Sequence, residues 1–190
     1  MKATIRADVF KTLIKNAEKF LRKDSSNKMM NYIFLEINAE TMEMTAKAVD
    51  GHRVSIEKTR LEETDCSFTC FIKPNIPKIT KYDLNATVEL INGKCFVQVS
   101  ESIVGYVQPE GEYINLEKII NETEQKEVKA HVFVDANLLK EALASVEVKG
   151  NTRPYVKLEI RDKNNPVVIR YGMGNQKDNV KLVLPVMVER

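Results

Sequence analysis

Residues 3–58 read ATIRADVFKTLIKNAEKFLRKDSSNKMMNYIFLEINAETMEMTAKAVDGHRVSIEK, and the order of hydrophobic periods within them decides the fold. A short opening strand over residues 3–6 gives way to Val9, Phe10, Leu13, Ile14, Ala17, Phe20 and Leu21, apolar positions at helical spacing. That spacing predicts an amphipathic helix with Asp8 as N-cap, reaching Lys23 and followed by a polar loop at residues 24–27. The pattern then changes to that of strands over residues 32–37, 42–49 and 53–58. The turns between them fall at residues 38–41 and at Asp50-Gly51, a pair suited to the φ > 0 positions of a tight hairpin. The stretch is one βαβββ unit.

The same order recurs twice. Residues 68–72 open a second unit, in which a short helix is predicted from Pro74 with Ile76 and Ile79 inward. Strands at 86–91, 95–99 and 103–108 follow, the first two joined by Asn92-Gly93, the strongest short hairpin signal. A third unit opens at residues 131–134, continues in a helix capped by Asp135 with Leu138, Leu139, Ala142, Leu143 and Val146 on one face, and ends in strands at 155–160, 167–171 and 180–184. The three openings are about 60 residues apart, too long for a solenoid repeat and suited to a duplicated module. The fold class is therefore α+β, with repeated βαβββ half-domain units and helices on one face of antiparallel sheets. Two units form a complete domain over residues 1–118, residues 119–129 are a polar linker, and residues 130–190 form a half-domain. A lone unit leaves a sheet edge and a face to be covered.

Composition excludes several classes. The 190 residues are 43% hydrophobic, enough for a sizeable core. Lys and Arg total 29 against 27 for Asp and Glu, so a formal charge of +2 identifies no acidic partner, and any basic surface must arise by placement. Three cysteines (Cys66, Cys70, Cys95) cannot all pair within one chain and no signal-like segment opens it, so a reducing, cytoplasmic setting is expected, with the thiols as buried apolar residues. No apolar run approaches the roughly 18 residues of a membrane span. The sequons at Asn85 and Asn121 are then chance matches.

Catalytic chemistry finds no pattern. Gly172-Met173-Gly174-Asn175 lacks the third glycine of a dinucleotide loop. The only histidines, His52 and His131, sit at no ligand or triad spacing, so no metal, cofactor or enzymatic activity is expected. Charge placement is more informative. On the first helix Lys11, Lys15, Lys19, Arg22 and Lys23 fall within an arc of about 120° opposite the apolar face. The second unit adds Lys78 and Lys81, and the third adds Lys140, with Lys149 and Arg153 beyond its helix. Basic helices in all three units point to sequence-independent binding of a phosphate backbone.

Three short segments resemble the bacterial DNA polymerase III beta subunit, the ring-shaped sliding clamp. Asp50-Gly51-His52-Arg53-Val54 is similar to that family's Thr-Asp-Gly-His-Arg-Leu segment, with Val49 in place of the threonine. Glu110-Gly111-Glu112-Tyr113-Ile114 resembles the Asp-Gly-Arg-Phe-Pro stretch closing its middle domain, and Leu184-Pro185-Val186 resembles its terminal Met-Pro-Met. The resemblance covers nearly the whole chain, as a middle domain plus a final half-domain, and implies the DNA-clamp fold with helices facing duplex DNA. Lys11, Lys15, Lys19, Arg22, Lys78, Lys81 and Lys140 would then be the DNA-facing residues. It further implies an apolar pocket for short peptide motifs of DNA polymerase and other replication proteins. By matching positions that pocket would use Gly51, His52, Arg53, Val54, Ile114, Lys118, Ile119, Leu184, Pro185 and Val186. Ile114 and Val186 stand where the family has proline and methionine, so a peptide specificity altered from the family's is expected. The expected role is a processivity factor working as a homo-oligomer. A non-ring, peptide-binding regulator or decoy of the replisome is the alternative, and a metal-dependent phosphoesterase using Asp50 a third reading.

Overall fold

In a computed structural model of the protein, residues 1–22, 28–128, 130–146, 155–171 and 179–186 are described. The readings made for Lys23, residues 24–27, Lys149, Arg153, residues 172–175 and residues 187–190 fall outside them. The chain divides into two units, Met1–Ile114 and Asn115–Arg190.

In the first unit the strand β1 (Lys2–Arg6) runs directly into α1 (Ala7–Glu18). The expected N-cap at Asp8 is therefore displaced. Arg6 takes the capping position without a side-chain cap, Asp8 lies in the first turn paired to Arg6 at 2.8 Å, and the Ala7 amide donates to the Leu84 carbonyl at 2.9 Å. A neighbouring segment thus satisfies a donor that a cap would otherwise hold. Ala7, Phe10, Leu13, Ile14 and Ala17 are buried as the spacing requires. Each large side chain among them contributes about 1.5–3 kcal/mol by leaving water. The helix is shorter than expected: Lys19 is its C-cap, and Arg22 lies beyond it.

A 3₁₀ turn at Lys28–Asn31 leads to β2 (Ile33–Asn38), β3 (Glu43–Val49), β4 (Val54–Arg60) and the two-residue β5 (Glu63–Thr64), which the sequence reading omits. The second module supplies β6 (Phe68–Ile72), β7 (Asn85–Ile91), β8 (Lys94–Val99) and β9 (Ser102–Val107). The β7–β8 turn has positive φ at both Asn92 (47°) and Gly93 (72°), as a primed hairpin turn demands. The helix expected from Pro74 does not form; residues 73–84 are irregular. Pro77, three residues into the segment, has no amide to donate and would clash with the preceding turn. Ile79 is nonetheless buried, and a turn over Thr80–Asp83 is closed by the Asp83 carboxylate accepting from the Thr80 amide at 2.7 Å.

Pairing within this unit crosses between modules. The order in one antiparallel sheet is β5-β1-β7-β8-β9 and in the other β4-β3-β2-β6. The opening strand of each module thus lies against the first meander strand of the other: β1 pairs β7, with Ile5 opposite Ala86, and β6 pairs β2, with Ile72 opposite Ile33. A single core joins both sheets and α1. Cys70 and Cys95 are inside it, while Cys66 is half-buried with Sγ 3.2 Å from Asp65 Oδ1.

The second unit contains α2 (Leu116–Glu124), α3 (Ala136–Ala144), β10 (Val156–Glu159), β11 (Val167–Tyr171) and β12 (Asn179–Val183), with sheet order β10-β11-β12. The helix α2 occupies part of the tract read as a linker and is capped by Asn115, whose side chain accepts from the Lys118 amide at 2.9 Å. Asp135 caps α3 as expected, accepting from the Asn137 and Leu138 amides. Residues 131–134 do not form the expected strand; Val134 makes one isolated bridge, to Pro185. The core of this unit is small: Val167, Ile169 and Val183, flanked by Val132, Val134, Leu139, Ala142 and Val156.

Candidate functional site

The exposed face of α1 carries Lys11 and Lys15, and Lys19 follows at its C-cap. At a helical rise of 1.5 Å per residue, steps of four place these cations about 6 Å apart in a row about 12 Å long. A duplex segment of that length bears about seven phosphate charges. Lys11 is tied down, its Nζ donating to the Ile79 carbonyl at 2.9 Å, so the irregular segment and the helix share a cation. Lys78 and Lys81 are exposed on that segment, not on a helix as expected, and Lys81 lies 5.0 Å from the Tyr82 ring. Lys140 is exposed on α3 in the second unit. Sequence reasoning missed Lys73, which sits 5.4 Å from the Tyr32 ring and lines a hollow of about 260 Å³ with Glu18, Leu21, Arg22, Asn31 and Pro74. Its adjacency to Pro74 was the available signal, obscured by reading the segment as a helix.

The turn after β3 is built around Asp50. One carboxylate oxygen accepts from the His52 and Arg53 amides at 2.9 and 2.8 Å, and the other from Arg53 Nε and Nη2 at 2.9 and 2.7 Å. The His52 amide first, and then the Arg53 side chain, hold this carboxyl down at about 2. Gly51 adopts φ +89°, a conformation that a side chain would strain. Arg53 reaches further: its Nη2 donates to the Lys19 carbonyl at 3.1 Å, and its guanidinium lies 4.8 Å from the Phe20 ring. The turn is thereby fastened to the end of α1, where a cation also suits the helix dipole. Phe20, read as a core residue, is half-buried beneath Arg53. Both Asp50 oxygens are engaged, and among the described residues no group of three His, Cys, Asp or Glu side chains is placed to hold a metal.

The remaining positions fall in both units. Gly51, His52, Arg53 and Val54 are exposed on the first unit and Ile114, its last residue, is half-buried. Beside Ile114, Tyr113 stacks on Phe34 with centroids 4.9 Å apart and donates to the Lys47 carbonyl at 3.2 Å, closing an aromatic group with Phe71. In the second unit Lys118 and Ile119 lie on α2, and Leu184, Pro185 and Val186 follow β12. Ile119, Leu184 and Val186 are exposed by 48%, 68% and 40%.

The antiparallel modules with exchanged opening strands are matched closely by solved structures. The beta subunit of the Streptococcus pyogenes DNA polymerase superposes with a TM-score of 0.80 over 98% of this chain and 50% of its own, at 16% identity. The fold is that of a sliding clamp. The Bacillus subtilis sliding clamp gives a TM-score of 0.79 at 14% identity, covering 97% of this chain and 49% of that one. The Pseudomonas aeruginosa DNA polymerase III beta subunit gives 0.75 at 14% identity, covering 97% and 50%. This chain therefore spans about half the length of the solved clamps it matches. No family model matches the sequence, nor does any curated protein.

Proposed function

We propose that the protein is a clamp-type replication factor, which holds duplex DNA without reading its sequence and docks DNA polymerase or other replication proteins through short peptide motifs. The observation that carries this reading is the row Lys11, Lys15 and Lys19 on the exposed side of the helix of a sliding-clamp fold. Arg22, Lys78 and Lys81 are further proposed DNA contacts on the first unit, and Lys140 on the second. Such a surface binds by charge position and counterion release, and no base-reading group is needed. Gly51, His52, Arg53, Val54, Ile114, Lys118, Ile119, Leu184, Pro185 and Val186 are the proposed peptide contacts, for which exposed Leu184 and Ile119 supply apolar anchors. The role invokes no catalytic group, metal or cofactor, and its setting is the cytoplasm.

Two surfaces give two separable activities. Leu184→Asp is expected to abolish capture of a fluorescent clamp-binding peptide while leaving retention on nicked circular duplex DNA intact. Lys15→Glu with Lys19→Glu is expected to do the reverse. Loss of both activities in each variant, or of neither, overturns the assignment. Peptide capture by the wild-type chain with no DNA retention would favour the regulator or decoy.

A further inference from the structure

The three modules treat the two edges of their opening strand by one rule, and the third module leaves that rule half fulfilled. In the first module, one edge of β1 is held by its own module's β5, with Ala3 opposite Thr64, and the other by β7 of the second module. In the second, the Phe71 backbone of β6 is held on one side by the Gln108 side chain, just after that module's β9. The Phe71 amide donates to Oε1 at 2.7 Å and its carbonyl accepts from Nε2 at 3.0 Å. The other edge pairs β2 of the first module. In the third, Val134 bridges Pro185 and the Phe133 carbonyl accepts from the Val186 amide at 2.8 Å, so residues just after β12 again hold one side. Among the described residues the other side has no strand, and the outer edge of β10, where a second module's opening segment belongs by the same rule, has none either.

Burial marks the same vacancy. Leu158 lies opposite Ile169, hence on the face that bears the core, yet is 49% exposed while Ile169 is fully buried. Its flanks Tyr155 and Ile160 are 70% and 44% exposed.

We infer that two copies of this chain exchange residues 131–134, each laying that segment antiparallel on the other's β10 to complete a two-module domain. The occupant is a second copy because the segment that fits the edge is one this chain itself carries free on the matching side, and reciprocal exchange satisfies both edges by a single two-fold axis. Two copies also hold about the module content of one solved clamp chain, of which each covers half. Register follows from facing. Val132 and Val134 pack on the core, as do Val156 and the face of Leu158. Val134 then lies opposite Val156, Phe133 opposite Lys157 and Val132 opposite Leu158, because a slip of one residue would turn the valines outward. The resulting order, β12-β11-β10 followed by the partner's opening segment and the residues after its β12, repeats β9-β8-β7-β1-β5 of the first unit. This assembly goes beyond DNA or peptide binding and does not depend on either.

Sedimentation equilibrium of the full chain at micromolar concentration is expected to give twice its 21.7 kDa mass. Leu158→Glu, at a position already half exposed, is expected to weaken association at least tenfold with an unchanged circular dichroism spectrum, whereas Leu182→Glu on the opposite face leaves it unchanged. In a Cys66→Ser background, Phe133→Cys chains mixed with Lys157→Cys chains are expected to form an intermolecular disulfide, since paired strands bring Cα atoms within bridging range. A strict monomer at tens of micromolar overturns the inference. So does a dimer that neither weakens with Leu158→Glu nor cross-links.

Discussion

Arg53 donates from Nη2 to the carbonyl oxygen of Lys19 at 3.1 Å, joining the turn after β3 to the C-cap of α1 across 34 positions of sequence. The same guanidinium pairs with Asp50 and covers Phe20, so the proposed peptide-binding turn and the proposed DNA-binding helix share one side chain.

Arg53→Ala is accordingly expected to destabilise the first unit by about 1–2 kcal/mol, through a lost charge-assisted bond, a ring contact and a favourable charge at a helix end. Arg53→Lys is expected to restore only part of this, because a point charge cannot serve Asp50 and the Lys19 carbonyl together. Urea unfolding followed by circular dichroism measures both.

Asp50 gives that turn a pH dependence of fixed sign. Its carboxyl falls from an unfolded value of 3.8 to about 2 in the folded protein. The stabilisation is therefore present above about pH 4 and is lost as pH falls through 2. Asp50→Asn is expected to lower stability above about pH 4, where the charged carboxylate contributes, and to flatten the acid limb of the stability curve below it. An NMR titration of the Asp50 carboxyl carbon reads the midpoint directly.

Charge reversal at Lys15 and Lys19 is expected to act through counterions. Each phosphate contact contributes about 0.9 to the slope of log K against log salt, so losing two should lower it by about 1.8 without altering sequence preference. Anisotropy of a labelled duplex between 50 and 200 mM salt tests this. An unchanged slope would remove the two lysines from the interface.

Tyr113 is expected to anchor the end of the first unit. Tyr113→Phe loses the bond to the Lys47 carbonyl, about 1 kcal/mol, whereas Tyr113→Ala also removes the stack on Phe34 and costs about 3 kcal/mol. Burial holds the Tyr113 hydroxyl above its ordinary range, so the absorbance change of tyrosine ionisation at this residue is expected only above the usual tyrosine range.

Sequence periodicity disclosed what is local. Phe10, Leu13, Ile14 and Ala17 place α1, and Asn92-Gly93 places the β7–β8 hairpin, because each is set by neighbours within a few residues. The segment after β6 mimics a helix because Ile76 and Ile79 have helical spacing, while Pro77 between them forbids the hydrogen bond. β5 has no sequence signature, since two polar residues, Glu63 and Thr64, have no period, and their pairing with β1 is decided some 60 residues away. The site followed the same division. The basic row was visible on a helical wheel. That Arg53 would be committed to Lys19 and Phe20, and that Lys73 would stand beside Arg22, depends on contacts between distant segments that no spacing reveals.

The exchange of β1 and β6 also has a consequence for biosynthesis. β1 leaves the ribosome long before β7, its partner 79 or more positions downstream. At ordinary elongation rates of roughly 5–20 residues per second, the 85 residues that separate Arg6 from Ile91 take between about 4 and 17 s to add. Throughout that interval β1 has at most the two-residue β5 to pair with, and its other edge waits for β7. Slow translation before residue 91 therefore prolongs the period in which two such chains on neighbouring ribosomes can pair with one another instead of with themselves.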